Sequence, residues 1–283
     1  MTFPLISAPA LRAAMASGER LLVCDCRFDL ADTGRGEADH LAGHIPGAVY
    51  LHLDRDLSAA KDGRNGRHPL PERAGFARRL GALGCADGLR VVAYDSSGGM
   101  YAARLWWMLR WLGHEQVQVL DGGMVAWDAA GGALQAGPVA PRTPATLTLR
   151  PPLVPLLDFD ALLAGLGRPD RLVVDARAPD RFRGENETLD PVGGHIPGAA
   201  NRFFRDNLAP DGCFKPAEQL RQEWQALLGT RQSAELVQQC GSGVTACHNL
   251  LALAVAGLDG SALYAGSWSE WCSRDNAPVA LGA

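Results

Sequence analysis

The chain has 283 residues, 47% of them hydrophobic and 20% charged, with a formal net charge of −4. That composition fits a soluble globular protein of one large or two medium domains with a sizeable core. With no long basic run, it argues against a nucleic-acid backbone or an anionic membrane surface as the main partner and leaves a small substrate or another protein.

The N-terminus, Met1-Thr2-Phe3-Pro4-Leu5, lacks a charged leader followed by an apolar core, and no stretch approaches the length of a membrane span. A cytoplasmic protein is expected. The seven cysteines are odd in number and form no CxxC pair. That usage suits reduced cytosolic thiols better than a disulfide framework or a zinc site. Neither a metal nor an organic cofactor is expected.

Along the chain, short apolar runs alternate with longer helical patterns. Leu21-Leu22-Val23 reads as a strand leading into Asp25-Cys26-Arg27 and, further on, the turn Gly43-His44-Ile45-Pro46-Gly47-Ala48. Glu72 to Leu83 reads as a helix, Val91-Val92-Ala93 as a strand, and Met100 to Leu112 as a helix after the loop Tyr94-Asp95-Ser96-Ser97-Gly98. A strand end, a glycine turn and a helix ending in Trp follow at Leu120 to Trp127. This alternation predicts an α/β fold with a mostly parallel sheet flanked by helices. From Gly137 to Pro155 six prolines rule out a helix or a central strand, and the segment reads as a linker.

Beyond the linker the same words return. Asp175-Ala176-Arg177 repeats Asp25-Cys26-Arg27, and Gly194-His195-Ile196-Pro197-Gly198-Ala199 repeats the earlier turn. Tyr264-Ala265-Gly266-Ser267-Trp268-Ser269-Glu270-Trp271 matches Leu120 to Trp127. The chain is an internal duplication. Features present in both copies are explained by the shared fold, so His44, His195, Trp127 and Trp271 read as structural, and Arg27 and Arg177 as braces of their own halves. Features present once are candidates for a site.

Cys240 is such a feature. It follows the apolar run Glu235 to Gln239 and precedes Gly241-Ser242-Gly243-Val244-Thr245 and a helix-forming run from Ala246 to Ala256. A thiol where a strand turns into a helix faces turn amides and the positive end of the helix dipole, which favours the thiolate. The glycines let backbone N–H groups curl around an anion. The aligned residue of the first half is Asp95, so the loop exists twice and the thiol once. Arg181 aligns with Ala31 and is the candidate ligand for a substrate anion.

In order, the duplicated Gly-His-Ile-Pro-Gly-Ala turn, Asp175-Ala176-Arg177 with Arg181-Phe182-Arg183-Gly184, the Cys240 loop and Gly266 to Trp271 resemble the two-domain rhodanese-type sulfurtransferases over nearly the whole chain. The resemblance implies two tandem rhodanese-like domains, each a mostly parallel sheet flanked by helices, with the site between them. The expected division is 1–137 for a copy without a catalytic cysteine, 138–155 for the linker and 156–283 for the catalytic copy.

A loop reading Cys-Gly-Ser-Gly-Val-Thr is similar to that of 3-mercaptopyruvate sulfurtransferases, whereas thiosulfate-preferring members more often carry Cys-Arg-Lys-Gly-Val-Thr. Thiosulfate is a dianion that cationic loop residues would hold. Mercaptopyruvate, with one carboxylate and a carbonyl, can be met by an arginine outside the loop and by donors within it. The expected reaction moves sulfane sulfur from 3-mercaptopyruvate through a Cys240 persulfide, cradled by the amides of Gly241, Gly243, Val244 and Thr245, to a thiol, reduced thioredoxin or cyanide. Alternatives are a thiosulfate sulfurtransferase and a persulfide carrier serving a partner protein.

The resemblance also implies a relay in which Ser242, a histidine and an aspartate assist proton transfer, matched here by His68 and Asp54. Family members that use mercaptopyruvate usually carry a second arginine a few residues past Arg-Phe-Arg-Gly, where this chain has Leu189 and Asp190. Arg183, Arg202 and Arg205 are left as substitutes, and the sequence does not rank them. A phosphatase would need an arginine in Cys-x5-Arg spacing, and that place holds Ala246.

Overall fold

The computed structural model describes residues 3–282. Strands β1 (Leu5–Ile6), β2 (Leu21–Asp25), β3 (Val49–Tyr50), β4 (Arg90–Tyr94) and β5 (Val117–Leu120) form one sheet in the order β1-β5-β4-β2-β3. Strands β6 (Leu156–Leu157), β7 (Leu172–Asp175), β8 (Ala200–Asn201), β9 (Leu236–Gln239) and β10 (Ala262–Tyr264) form a second in the order β6-β10-β9-β7-β8. Every pairing is parallel. Strand for strand the two orders are the same, so the recurring words mark a recurring topology. The central strands are buried along their length, which is why β2 reads as an unbroken apolar run rather than an alternating one.

The helices sit close to their expected places, with shifts that have local causes. Glu72 is the cap rather than the first turn of the helix Arg73–Ala82: its carboxylate accepts the N–H groups of Ala74 and Gly75. The helix expected from Met100 spans Ala102–Trp111, because the amides of Gly99, Tyr101 and Ala102 bend onto the carboxylate of Asp95 first. The helix after Cys240 spans Thr245–Val255. Residues 138–155 carry neither helix nor strand. They are tied down by the N–H groups of Ala145, Arg150 and Leu153, which donate to the carbonyls of Gly81, Leu112 and Arg110. Among the described residues no helix is long and apolar enough to cross a membrane.

By its contacts the chain divides into two compact units. The first runs to Ala59 and adds Pro71–Leu153 and Pro210–Phe214, while the second takes Ala60–Leu70, Val154–Ala209 and the residues from Lys215 onward. Two segments therefore pack away from the half in which they lie in sequence.

Each unit holds its sheet and its His-Ile-Pro-Gly turn together with the same device. Arg27 chelates Asp25 (Nη2 to Oδ2 2.6 Å) and donates to the carbonyl of Gly43 at 2.8 Å. Arg177 chelates Asp175 (2.7 Å) and donates to the carbonyl of Gly194 at 2.6 Å. A strand end is thus joined to the turn by a buried, charge-assisted bridge. The histidines of the two turns are structural as read: His44 Nδ1 lies 2.7 Å from the His40 carbonyl and His195 Nδ1 2.9 Å from that of Phe182. Trp127 packs with Ile45, Tyr94 and Met124 in one core, and Trp271 with Phe159, Tyr264 and Trp268 in the other.

Burial pushes the Asp25 carboxyl up, but hydrogen bonds from His40 and Arg27 outweigh it and hold the group below the usual carboxylate range. The stability this confers is complete above the unfolded value of about 3.9 and is lost as pH falls through the lower folded value. Asp25→Ala, which leaves Arg27 buried without its partner, is expected to cost about 3–5 kcal/mol near neutral pH. The gap to the wild type should narrow below about pH 4. Urea unfolding at the two acidities checks this, and a pH-independent gap would show that the carboxylate charge is not what the brace uses.

Candidate active site

In an open parallel α/β sheet, ligands meet the C-terminal ends of the strands. In the second unit the ends of the adjacent strands β7, β9 and β10 deliver Arg177, Cys240 and Ser267. Cys240 is 2% exposed, and its N–H donates to Ser267 Oγ at 3.1 Å. Ser267 is, among the described residues, the one non-glycine in the left-handed region, with φ 55°. Its counterpart in the first unit is Gly123 at φ 52°, so the fold demands this conformation twice. Only the copy with the thiol carries a side chain there, and that hydroxyl also donates to the Tyr264 carbonyl at 3.0 Å. Backbone strain of this kind persists where the surroundings over-determine it, as they do beside Cys240.

The loop itself is fixed by two close approaches. The carbonyls of Cys240 and Gly241 accept the N–H groups of Trp268 and Ser269, each at 2.9 Å. Gly243 has φ 76°, and a Cβ on it would overlap the Ala265 carbonyl oxygen. Val244 is the N-cap residue and Thr245 the first residue of the helix Thr245–Val255. Their N–H groups belong to the first turn, which a helix leaves without intrahelical acceptors. The first unit holds an anion at the matching place. There the Asp95 carboxylate accepts the N–H groups of Ser97, Gly99, Tyr101 and Ala102 at 2.7 to 3.0 Å. Burial pushes the Asp95 carboxyl up against the pull of those four donors. The loop after Cys240 leaves the matching strand with a thiol in place of the carboxylate and reaches its helix two residues sooner, at Thr245.

Ser242 Oγ lies 2.7 Å from His68 Nδ1, and both residues are buried. The segment Ala60–Leu70 is part of the second unit and delivers this histidine. Gly66, at φ 84°, passes so near the Gly266 carbonyl that a Cβ would stand 2.8 Å from it. Asp54 belongs to the first unit, on the helix Leu53–Asp56, where its N–H donates to His52 Nδ1 at 3.1 Å.

Arg181 sits on the short helix Pro179–Arg183 with its side chain 19% exposed. It is held by Glu187 (Nη2 to Oε1 2.8 Å, Nε to Oε2 3.0 Å) and lies 3.4 Å from Asp190. Burial works against ionisation of Glu187, but Arg181 and the N–H groups of Leu189 and Asp190 hold its carboxyl below the usual range. For Asp190 burial prevails and pushes the carboxyl up, against the pull of Arg67. Arg67 Nη1 binds Asp190 Oδ1 at 2.5 Å. Arg67, not Arg183, Arg202 or Arg205, is the second guanidinium beside the loop. The other three are engaged elsewhere: Arg183 with Glu185, Arg202 with Glu223, and Arg205 over the ring of Phe204. In sequence the only pointer to Arg67 was its position next to His68.

Both halves match the model of the Rhodanese-like domain, over residues 7–130 and 158–274. The chain is 50% identical to the "Probable 3-mercaptopyruvate sulfurtransferase" of Pseudomonas aeruginosa, covering 98% of each chain. It is 35% identical to the thiosulfate sulfurtransferase of Bos taurus over 94% of this chain and 90% of that one. Its structure is similar to that of the 3-mercaptopyruvate sulfurtransferase from Leishmania major, with a TM-score of 0.87 at 30% identity over 99% of this chain and 77% of that one.

The geometry of the loop makes Gly243 the residue least able to change. Gly243→Ala is expected to slow alkylation of Cys240 by iodoacetamide at least tenfold, because a Cβ forces the amides of the turn away from the thiol. Gly98→Ala, at φ 70° in the matching turn of the first unit, should lower thermal stability and leave that rate alone. Equal alkylation rates in Gly243→Ala and the wild type would remove the cradle from the account of Cys240.

Proposed function

Since the chain belongs to the rhodanese-like family in both of its halves, we propose that it is a 3-mercaptopyruvate sulfurtransferase in which Cys240 carries the transferred sulfur as a persulfide. The observation that carries the choice of donor is the hydrogen bond of 2.7 Å between Ser242 and His68, two residues past the nucleophile. The two donors differ in one respect that such a pair can serve. The outer sulfur of thiosulfate bears no proton, so its transfer to a thiolate releases sulfite with no proton to move. The sulfur of mercaptopyruvate is a thiol, and its proton must leave sulfur and reach carbon.

The first half-reaction balances on that basis. The Cys240 thiolate attacks the donor sulfur, an S–S bond forms, the C–S bond breaks, and its electron pair makes the enolate of pyruvate. The thiol proton, passed through Ser242 and His68, ends on the methylene carbon, giving pyruvate and a Cys240 persulfide anion. Amides of Gly241, Gly243, Val244 and Thr245 stabilise that anion, the part that amides of the first unit's loop play for the carboxylate of Asp95. Arg181 meets the carboxylate of the donor. In the second half-reaction an acceptor thiolate attacks the outer sulfur of the protonated persulfide and frees the Cys240 thiolate. The acceptor is read as a thiol such as that of reduced thioredoxin, with cyanide as an artificial substitute. A cytoplasmic setting goes with it, on the strength of seven free cysteines.

The charges near the loop favour the same donor. Arg67, Arg177 and Arg181 are bound to Asp190, Asp175 and Glu187, so the guanidiniums are already neutralised. A dianion gains less there than at a loop with basic residues of its own, whereas a monocarboxylate needs only directed donors.

Steady-state sulfur transfer from 3-mercaptopyruvate and thiosulfate should give the higher kcat/KM with mercaptopyruvate, and Cys240→Ser should show none with either. Ser242→Ala should lower kcat for mercaptopyruvate by on the order of a hundredfold or more and change thiosulfate turnover little. Equal losses with the two donors would sink the relay, and faster turnover of thiosulfate by the wild type would sink the donor.

A further inference from the structure

The residue after the nucleophile marks a point on which two cations converge. A Cβ built on Gly241 would lie 3.0 Å from Arg67 Nη2, 3.6 Å from Arg181 Nη2 and 3.7 Å from Arg181 Nη1. The remaining nitrogens of these groups are turned away from the loop. Arg67 Nη1 holds Asp190 and the Leu189 carbonyl, and Arg181 Nε holds Glu187. Arg67 thus presents Nη2, and Arg181 both terminal nitrogens, to the space beside the Gly241 Cα, with Arg181 Nη2 also bonded to Glu187 and Asp190. Arg67 Nε is buried without a hydrogen-bond partner, so the group is held here at a polar cost that its surroundings do not fully relieve.

The placement of Arg67 is built rather than incidental. Gly66 fits against Gly266 only because it lacks a side chain. The N–H of Arg67 donates to Ser269 Oγ at 2.9 Å, and the N–H of Ser269 donates to the carbonyl of Gly241 at 2.9 Å. His68 then reaches Ser242. Three consecutive residues of one segment are thus pinned to the loop and its neighbouring helix, and the guanidinium between the two end pins has little freedom of aim. Asp190 fixes its other end.

Building on the mercaptopyruvate reading, we infer that Arg67 and Arg181 together form the seat of the donor's carboxylate over Gly241, and that Arg67 is a specificity-determining residue of this chain. One carboxylate oxygen faces Arg67 Nη2 and the other Arg181 Nη1, while the thiol end of the donor extends toward Cys240. Gly241 belongs to the seat because any side chain there would fill it. A basic residue at 241, as in the thiosulfate-type loop, would bring a third cation against the two already present. The absence of charge in the loop and the presence of Arg67 are then one arrangement: the cation sits on another segment and leaves the loop free for a planar keto acid.

The test compares mercaptopyruvate with mercaptoacetone, which keeps the thiol and the ketone and lacks the carboxylate. Arg67→Met should raise KM for mercaptopyruvate on the order of 10- to 100-fold, with kcat changed only a few-fold. Turnover of mercaptoacetone should stay as in the wild type, and inhibition by pyruvate should weaken by the same factor as KM rises. Arg67→Lys, which keeps the charge and the backbone pins, should fall between the two and serves if Arg67→Met does not fold. A purely structural role, acting through His68, would instead lower kcat for both donors alike and overturn the assignment, as would an unmoved KM for mercaptopyruvate. A wild type inactive with mercaptopyruvate overturns the donor reading itself, whereas an active wild type with an unresponsive Arg67→Met overturns Arg67 alone.

Discussion

The constraint on which the second unit depends is the meeting of two backbones at the ends of β9 and β10. Gly243 and the Ala265 carbonyl come too close for any side chain between them. That contact forces the loop after Cys240 to curl, and the curl aims backbone amides at the sulfur. It also brings Ser267 under the Cys240 N–H, in a conformation that serine tolerates only because the fold imposes it. In the first unit the counterparts of Ser267 and Cys240 leave no room for a side chain: a Cβ on Gly123 would overlap the Asp95 carbonyl. The duplicated turn is therefore an anion-binding device by geometry, and the residue that opens it decides the use. Asp95 fills the turn with its own carboxylate and closes it to anything else. Cys240 offers a sulfur, to which a second sulfur can be added.

Much of this was legible before the structure. The strand and helix runs, the duplication, the candidate nucleophile and the anchoring role of the Asp-Arg pairs all follow from local pattern and from comparing the chain with itself. Local pattern works where the determining contacts are near in sequence, as between Arg177 and Asp175. Comparison of the halves works where a feature is unique to one of them, as with Cys240 against Asp95. The second cation escaped both methods. Arg67 and Asp190 are separated by 123 positions, and Arg67 lies in a segment that packs with the second unit rather than with the first-half residues on either side of it. No periodicity or motif encodes such a placement. The same distance hid the role of Ser267, whose hydroxyl matters only once β10 stands beside β9.

The acidic residues near the site have an effect that a list of ligands would miss. Glu187 and Asp190 hold guanidiniums that would otherwise be long, mobile side chains, so each arginine meets its ligand with less freedom left to lose. They also reduce the net attraction for anions. The two carboxyls differ in kind: Arg181 and two amides hold Glu187 below the usual range, whereas burial pushes Asp190 up against the pull of Arg67.

On the proposed reading that reduction has a kinetic sense. Pyruvate, the product, carries the same carboxylate as the donor, so a seat that grips the carboxylate grips substrate and product alike. Binding shared by ground state and product lowers KM without lowering the barrier, and past a point it slows release. Two neutralised guanidiniums orient the carboxylate by directed hydrogen bonds without the pull of a bare positive pocket. The barrier is then left to groups that respond to the chemistry itself: Ser242 and His68, which move a proton only as the C–S bond opens, and the amides of the turn, which meet negative charge only once the persulfide exists. Orientation and catalysis are assigned to different segments, and the short run from Gly66 to His68 supplies one residue to each.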